Sequence, residues 1–208
     1  MKLKKSVKRF LMILAIIIII GVGALTYFFV KKDSNVEEVK VLKEIKGYGY
    51  TLKDNKSAAY KKLFAELEEI LKESSVDEEK YVKTISEMFI LDFYSLDEKA
   101  AKTDVGGVDF VYQEISNNFL NNAGDTLYKY VESDIYKQRK QDLPVVSSVK
   151  IESIENEEFE YLETTDENAF VVKANWTYKD PAKAKGYQDE ATLIFVHNGK
   201  RLDLVELK

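Results

Sequence analysis

Residues 10–30 read FLMILAIIIIIGVGALTYFFV, an apolar run without a single charge. As a helix rising about 1.5 Å per residue it would be roughly 31 Å long, enough to cross a hydrocarbon core of about 30 Å. The run therefore predicts a transmembrane helix. Lys2, Lys4, Lys5, Lys8 and Arg9 precede it with no acid, Lys31 and Lys32 close it, and Tyr27, Phe28 and Phe29 sit where an interfacial aromatic belt falls. Val22-Gly23-Ala24 offers small residues to a signal peptidase. The apolar run continues past that point, however, and exceeds the roughly 7–15 residues of a secretory h-region. An uncleaved anchor is the stronger reading, with residues 1–9 as a basic cytoplasmic tail and the body outside.

Behind the anchor the period changes several times. Val36, Val39, Leu42 and Ile45 are spaced three apart among charges. This suggests a short helical stalk within a linker over 31–47, although such a length is marginal for an isolated helix. Gly47 and Gly49 mark a boundary, so the outer domain is drawn at 48–208. Asp54 and Asn55 are good helix caps ahead of Tyr60, Leu63, Phe64, Leu67, Ile70 and Leu71, which recur on one helical face. Ser75-x-x-Glu78 is a capping box leading into Tyr81, Val82, Ile85, Met88 and Phe89. Two successive helices should pack as a hairpin.

Asp104 is the next cap, and Val108, Val111, Tyr112, Ile115 and Phe119 predict a third helix. After an interruption at Asn121, Asn122 and Gly124, the positions Leu127, Tyr128, Val131 and Ile135 suggest a fourth, or a kinked continuation.

From residue 145 onward the period is two. Residues 145–155 alternate, Phe159 and Tyr161 make a short second run, and 168–179 is the clearest strand. There Phe170, Val172, Ala174, Trp176 and Tyr178 share one face, with Lys173, Asn175, Thr177 and Lys179 opposite. Residues 191–197 and 201–207 flank Asn198-Gly199, a hairpin signal that predicts a type I′ turn. Helices first and a strand meander afterwards is an α+β layout, a helical layer packed on an antiparallel sheet.

Charge narrows the partners. The chain holds 31 bases and 36 acids. Five bases and no acid fall in the first 30 residues, so the rest carries 26 − 36 = −10. An acidic body is poorly suited to a nucleic-acid backbone, so nucleic acid is not an expected partner. Cysteine is absent, which removes disulfides, thiolate metal sites and a Cys nucleophile.

The order of helices and strands, the Trp176 strand over 168–179 and the terminal Asn198-Gly199 hairpin resemble the nuclear transport factor 2 superfamily. With the basic tail and single span, the chain is also similar to bitopic assembly proteins of type IV secretion and conjugation machines. Small membrane-anchored proteins of Gram-positive bacteria share the layout. The resemblance implies a curved sheet forming a cone around a long helix, and in some members a cavity for small apolar molecules. It carries no catalytic signature onto particular positions.

Candidate chemistry is sparse. His197, the sole histidine, sits at a hairpin end and reads as exposed. Glu157-Glu158, Asp166-Glu167 and Asp189-Glu190 read as solvated turns rather than buried acids with raised pKa values. Asp180 with Asp189 and Glu190 lacks EF-hand spacing. Gly106-Gly107 lacks the dinucleotide-loop spacing and reads as a tight approach. Asn175-Trp176-Thr177 fits a glycosylation sequon but lies mid-strand. No catalytic residue, metal ligand or cofactor is therefore named.

Aromatics are the more informative feature. Tyr48, Tyr50, Tyr60, Phe64, Phe93, Tyr94, Trp176 and Tyr178 could line the implied cone, with Tyr60, Phe64, Trp176 and Tyr178 as the cavity candidates. The competing reading is that these rings fill the core. Two functions remain open: a membrane-anchored, non-enzymatic extracytoplasmic adaptor of an envelope complex, and a tethered binding domain for a small or lipid-like ligand. Lipid contact through 10–30 and protein partners in the cell envelope are expected, with a homo-oligomer left open.

Overall fold

In the computed structural model the described residues are 39–208, which form one compact unit. The tail, the apolar run and the stalk up to residue 38 lie outside them. No helix among the described residues is long and apolar enough to cross a membrane.

The first element is a strand where a linker or short stalk was expected. β1 (Val41–Ile45) pairs antiparallel with β2 (Tyr50–Lys53), with Ile45 opposite Tyr50. Gly47 at φ 85° and Gly49 at φ 72° shape the turn between them, a conformation that only glycine adopts without strain. Ile45 and Tyr50 enter the core while Val41 and Leu42 stay exposed. The compact unit thus starts at Val39 rather than 48, and the glycines read as a boundary close a hairpin. A helix this short gains little from its own hydrogen bonds, so pairing with β2 prevails.

α1 (Ala58–Lys72) starts three residues beyond Asn55, with Ser57 Oγ accepting the Tyr60 amide at 3.3 Å. Asp54 instead accepts the Lys40 amide at 3.1 Å, closing the base of the hairpin. The helix buries Tyr60, Phe64, Leu67, Ile70 and Leu71, five of the six positions on its expected apolar face. α2 (Glu78–Tyr94) is capped by Asp77, which accepts the Lys80 amide at 3.1 Å. Of its 17 residues twelve are buried, because α1 packs on one side and the large sheet on the other.

The expected third and fourth helices are corrected. Val108–Phe110 and Gln113–Ile115 are single 3₁₀ turns, and only Ser116–Asp125 is helical, as α3. Asn121, Asn122 and Gly124 lie inside α3 and do not interrupt it. The reason is a long-range pairing: Val111 bridges Leu204, and the Tyr112 amide donates to the Leu204 carbonyl at 2.9 Å, which pulls the chain out of helical geometry. Residues 126–130 form turns and 131–134 are irregular, with Tyr128 and Val131 buried.

The large sheet is β3 (Val146–Tyr161), β4 (Thr164–Tyr178), β5 (Glu190–Asn198) and β6 (Arg201–Leu207), in the order β3-β4-β5-β6 and antiparallel throughout. The fold is α+β. The two runs expected at 145–155 and 159–161 are one strand whose pairing slips at three places, which let Val149, Ile151 and Ile154 all pack on the core. On β4, Phe170, Val172, Ala174 and Trp176 are core residues as expected. The β5–β6 loop is Gly199-Lys200, since Asn198 pairs with Arg201. Gly199, at φ 63°, occupies the first loop position, the arrangement of a type II′ turn and not the expected I′.

Candidate functional site

An open cleft of about 490 Å³ lies where four elements end together: the β1–β2 turn, the α1–α2 loop, the first turn of α2 and the β5–β6 hairpin. Lys46, Glu73, Ser74, Glu78, His197 and Lys200 are among its walls.

His197 is the organised group in this cleft. Regular pairing between β4 and β5 ends at Phe170 and Phe195, and Asp166 takes over where the ladder stops. Its Oδ2 accepts the His197 amide at 2.7 Å and lies 2.8 Å from the ring Nδ1. Nδ1 then carries the proton, and Nε2 faces Glu78 Oε2 at 3.5 Å. Burial would raise the Asp166 carboxyl, but the amides of His197 and Asn168 and the His197 ring outweigh it and hold it below the usual carboxylate range. His197 is half-buried and bonded, not the free turn residue its position suggests.

Tyr81, which lines the cleft, shares a hydroxyl pair with the buried Tyr50. Tyr50 donates to the Leu202 carbonyl at 3.1 Å, so the Tyr81 proton serves the Tyr50 oxygen at 2.6 Å, and Tyr81 accepts the Leu202 amide at 3.2 Å. Burial pushes the Tyr81 hydroxyl up to about 12. Arg201 lies 4.5 Å over the Tyr50 ring centre, donates from Nε to Asp203 at 2.9 Å, and reaches the carbonyls of Tyr48 and Asp109. Its donors are committed to holding β6 against the first hairpin. The cleft therefore offers an oriented imidazole between two carboxylates, with Lys46 and Lys200 at its edges.

A second charged cluster is sealed. Asp92 Oδ1 accepts from Lys56 and from Lys99, each at 2.6 Å, and Oδ2 accepts the Gly107 amide at 2.8 Å. Burial opposes ionisation of Asp92, yet the two ammonium groups prevail and hold its carboxyl far below the usual range. A Cβ on Gly106 would stand 2.2 Å from the Asp92 carbonyl oxygen, and one on Gly107 2.6 Å from the Phe89 ring. The glycine pair is a close approach of backbone to α2.

Tyr60, Phe64 and Trp176 lie in the main core, and Tyr178 packs against it. Trp176 sits 4.2 Å from the Tyr94 ring, centre to centre. Tyr178 donates to the Gln188 carbonyl. None of the four lines the His197 cleft or the shallower one of about 520 Å³ bounded by Glu152, Lys173 and Lys208. Asp180 closes its own turn by accepting the Ala182 amide at 3.0 Å, and no group of three metal-ligating side chains occurs among the described residues.

The remaining candidate is an edge. β3 is terminal in the sheet, and beyond Val146, whose amide is taken by Ser95 Oγ at 3.1 Å, no segment among the described residues pairs with its outer side. Sequence patterning marks the strand but cannot say that it ends the sheet, so this edge was not legible beforehand. Compared with protein-family models, curated proteins and solved structures, the chain matches none.

Proposed function

We propose that this protein is a membrane-anchored, non-enzymatic adaptor: residues 10–30 hold it in the bilayer with the N-terminus cytoplasmic, and the α+β domain binds protein partners of a secretion- or conjugation-type envelope complex outside. The observation that carries the reading is the outer side of β3, a 16-residue strand that no segment among the described residues pairs with on that side beyond Val146, on a domain with its own core. Unpaired N–H and C=O groups in a row are a template for another chain. We place the domain in the nuclear transport factor 2-like class. In its support stand the β3–β6 meander, the buried helix α2, and a ring contact between Tyr112, tied to β6, and Tyr161 on β3, which draws opposite sheet edges toward each other as a curved sheet does.

A C-terminal tag on the full chain tests this by pull-down from neutral-detergent extracts, paired with protease treatment of intact cells. The expected result is recovery of envelope machinery and loss of the tag to external protease. Recovery of the chain alone with a co-purified small molecule, or a tag protected in the cytosol, overturns it.

A further inference from the structure

We infer that the outer side of β3 takes a lysine- or arginine-bearing extended segment of the partner by strand addition. The inference deepens the adaptor reading and rests on it. At about 3.3 Å per residue the strand offers an edge of roughly 50 Å, long enough for a full strand of a second protein. Its charge is one-sided: between Val146 and Tyr161 there are five glutamates and one lysine. Lys150 is engaged with Glu152 at 2.8 Å, and Lys173 on β4 lies 3.9 Å from Glu155. The carboxylates of Glu157, Glu158 and Glu160 have neither a hydrogen bond nor an ion pair among the described residues.

Those three carboxylates decide between occupants. A second copy added edge to edge would bring together two strands that each carry five glutamates and one lysine, and like charges brought together across a strand pair are destabilising. An anionic lipid surface is repelled for the same reason and has no use for a row of backbone groups. A strand with alternate basic side chains satisfies both features, since its backbone completes the ladder while its cations meet the unpaired acids. The charges that keep copies apart thus admit a basic partner.

The test uses the full chain in neutral-detergent micelles and a short fluorescent peptide alternating lysine with threonine. Control peptides carry glutamate for lysine, or the same lysines with alternate backbone amides methylated. Binding of the basic peptide alone is expected, with new amide-exchange protection confined to 147–160. Glu157→Lys/Glu160→Lys, at exposed positions, should weaken it about tenfold. Equal binding of the methylated peptide would reduce the effect to undirected charge attraction and overturn the inference, as would protection appearing elsewhere or salt-resistant self-association through β3. If pull-down recovers the same partners with the double variant as with the natural chain, strand addition falls and the adaptor reading stands. If the peptide binds and no partner is recovered, the reverse holds.

Discussion

Tyr161, the last residue of β3, meets Tyr112 edge to face, with ring centres 5.6 Å apart and planes at 82°. Tyr112 is fixed to β6 through the Leu204 carbonyl, so one ring pair links the two outer strands of a four-stranded sheet. Burial and the neighbouring Tyr112, Asp166 and Asp203 raise the Tyr161 hydroxyl above its ordinary pKa. Ala169, Val171, Ile194 and Val196, which alternate with the main-core positions of β4 and β5, are buried as well.

Tyr161→Ala is expected to lower stability by about 1–2 kcal/mol through lost ring contact and burial, whereas Tyr161→Phe should change it by less than about 0.5 kcal/mol. Urea unfolding of the two variants checks this. An equal loss for both would assign the effect to the hydroxyl instead of the ring.

Asp92→Ala removes the one carboxylate between the buried Lys99 and the half-buried Lys56 ammonium groups, and a loss of about 3–5 kcal/mol is expected. Adding Lys99→Met to it should recover part of that loss, because one stranded charge goes with the lysine. A double-mutant cycle by chemical denaturation measures the coupling, and strict additivity would show that Asp92 and Lys99 act independently.

Two glycines should respond in opposite directions. Gly107→Ala meets Phe89 at 2.6 Å from a backbone at φ 73°, and a loss of at least about 2 kcal/mol is expected. Gly124→Ala sits within α3 with nothing within 4 Å, so a gain of about 0.5–1 kcal/mol is expected from helix propensity alone. Thermal melts of both decide it.

Asp166 has a depressed carboxyl in the folded state. Its contribution is therefore present above the unfolded carboxylate value, about 3.9, and is lost as pH falls through the lower folded value. The stability gap between the natural chain and Asp166→Asn should be widest at neutral pH and close in acid. Denaturant midpoints measured from neutral pH downward test the sign, and a gap that grows on acidification would reverse it.

The sequence made the strongly periodic parts of the fold legible: the apolar faces of α1 and α2, and the alternation of Phe170, Val172, Ala174 and Trp176. Elements failed where distant pairing outweighed local pattern. Leu42 and Ile45 fit a helical spacing, but Tyr50 pairs with Ile45 and makes a strand. Val108, Val111, Tyr112 and Ile115 fit a helix too, but Leu204 captures Val111 and Tyr112. The candidate site was hidden for the same reason. Asp166 stands 31 positions before His197, and no spacing rule links an acid near the start of β4 to the end of β5 that it completes. Tyr60, Phe64 and Trp176, which the sequence left open as cavity lining or core filling, are core residues.

Arg201 joins elements from opposite ends of the described chain. It clasps the turn after β1 through the Tyr48 carbonyl while seated on β6, the last strand. A substitution that removes the guanidinium would therefore part the first hairpin from the last strand, segments 153 positions apart in the sequence.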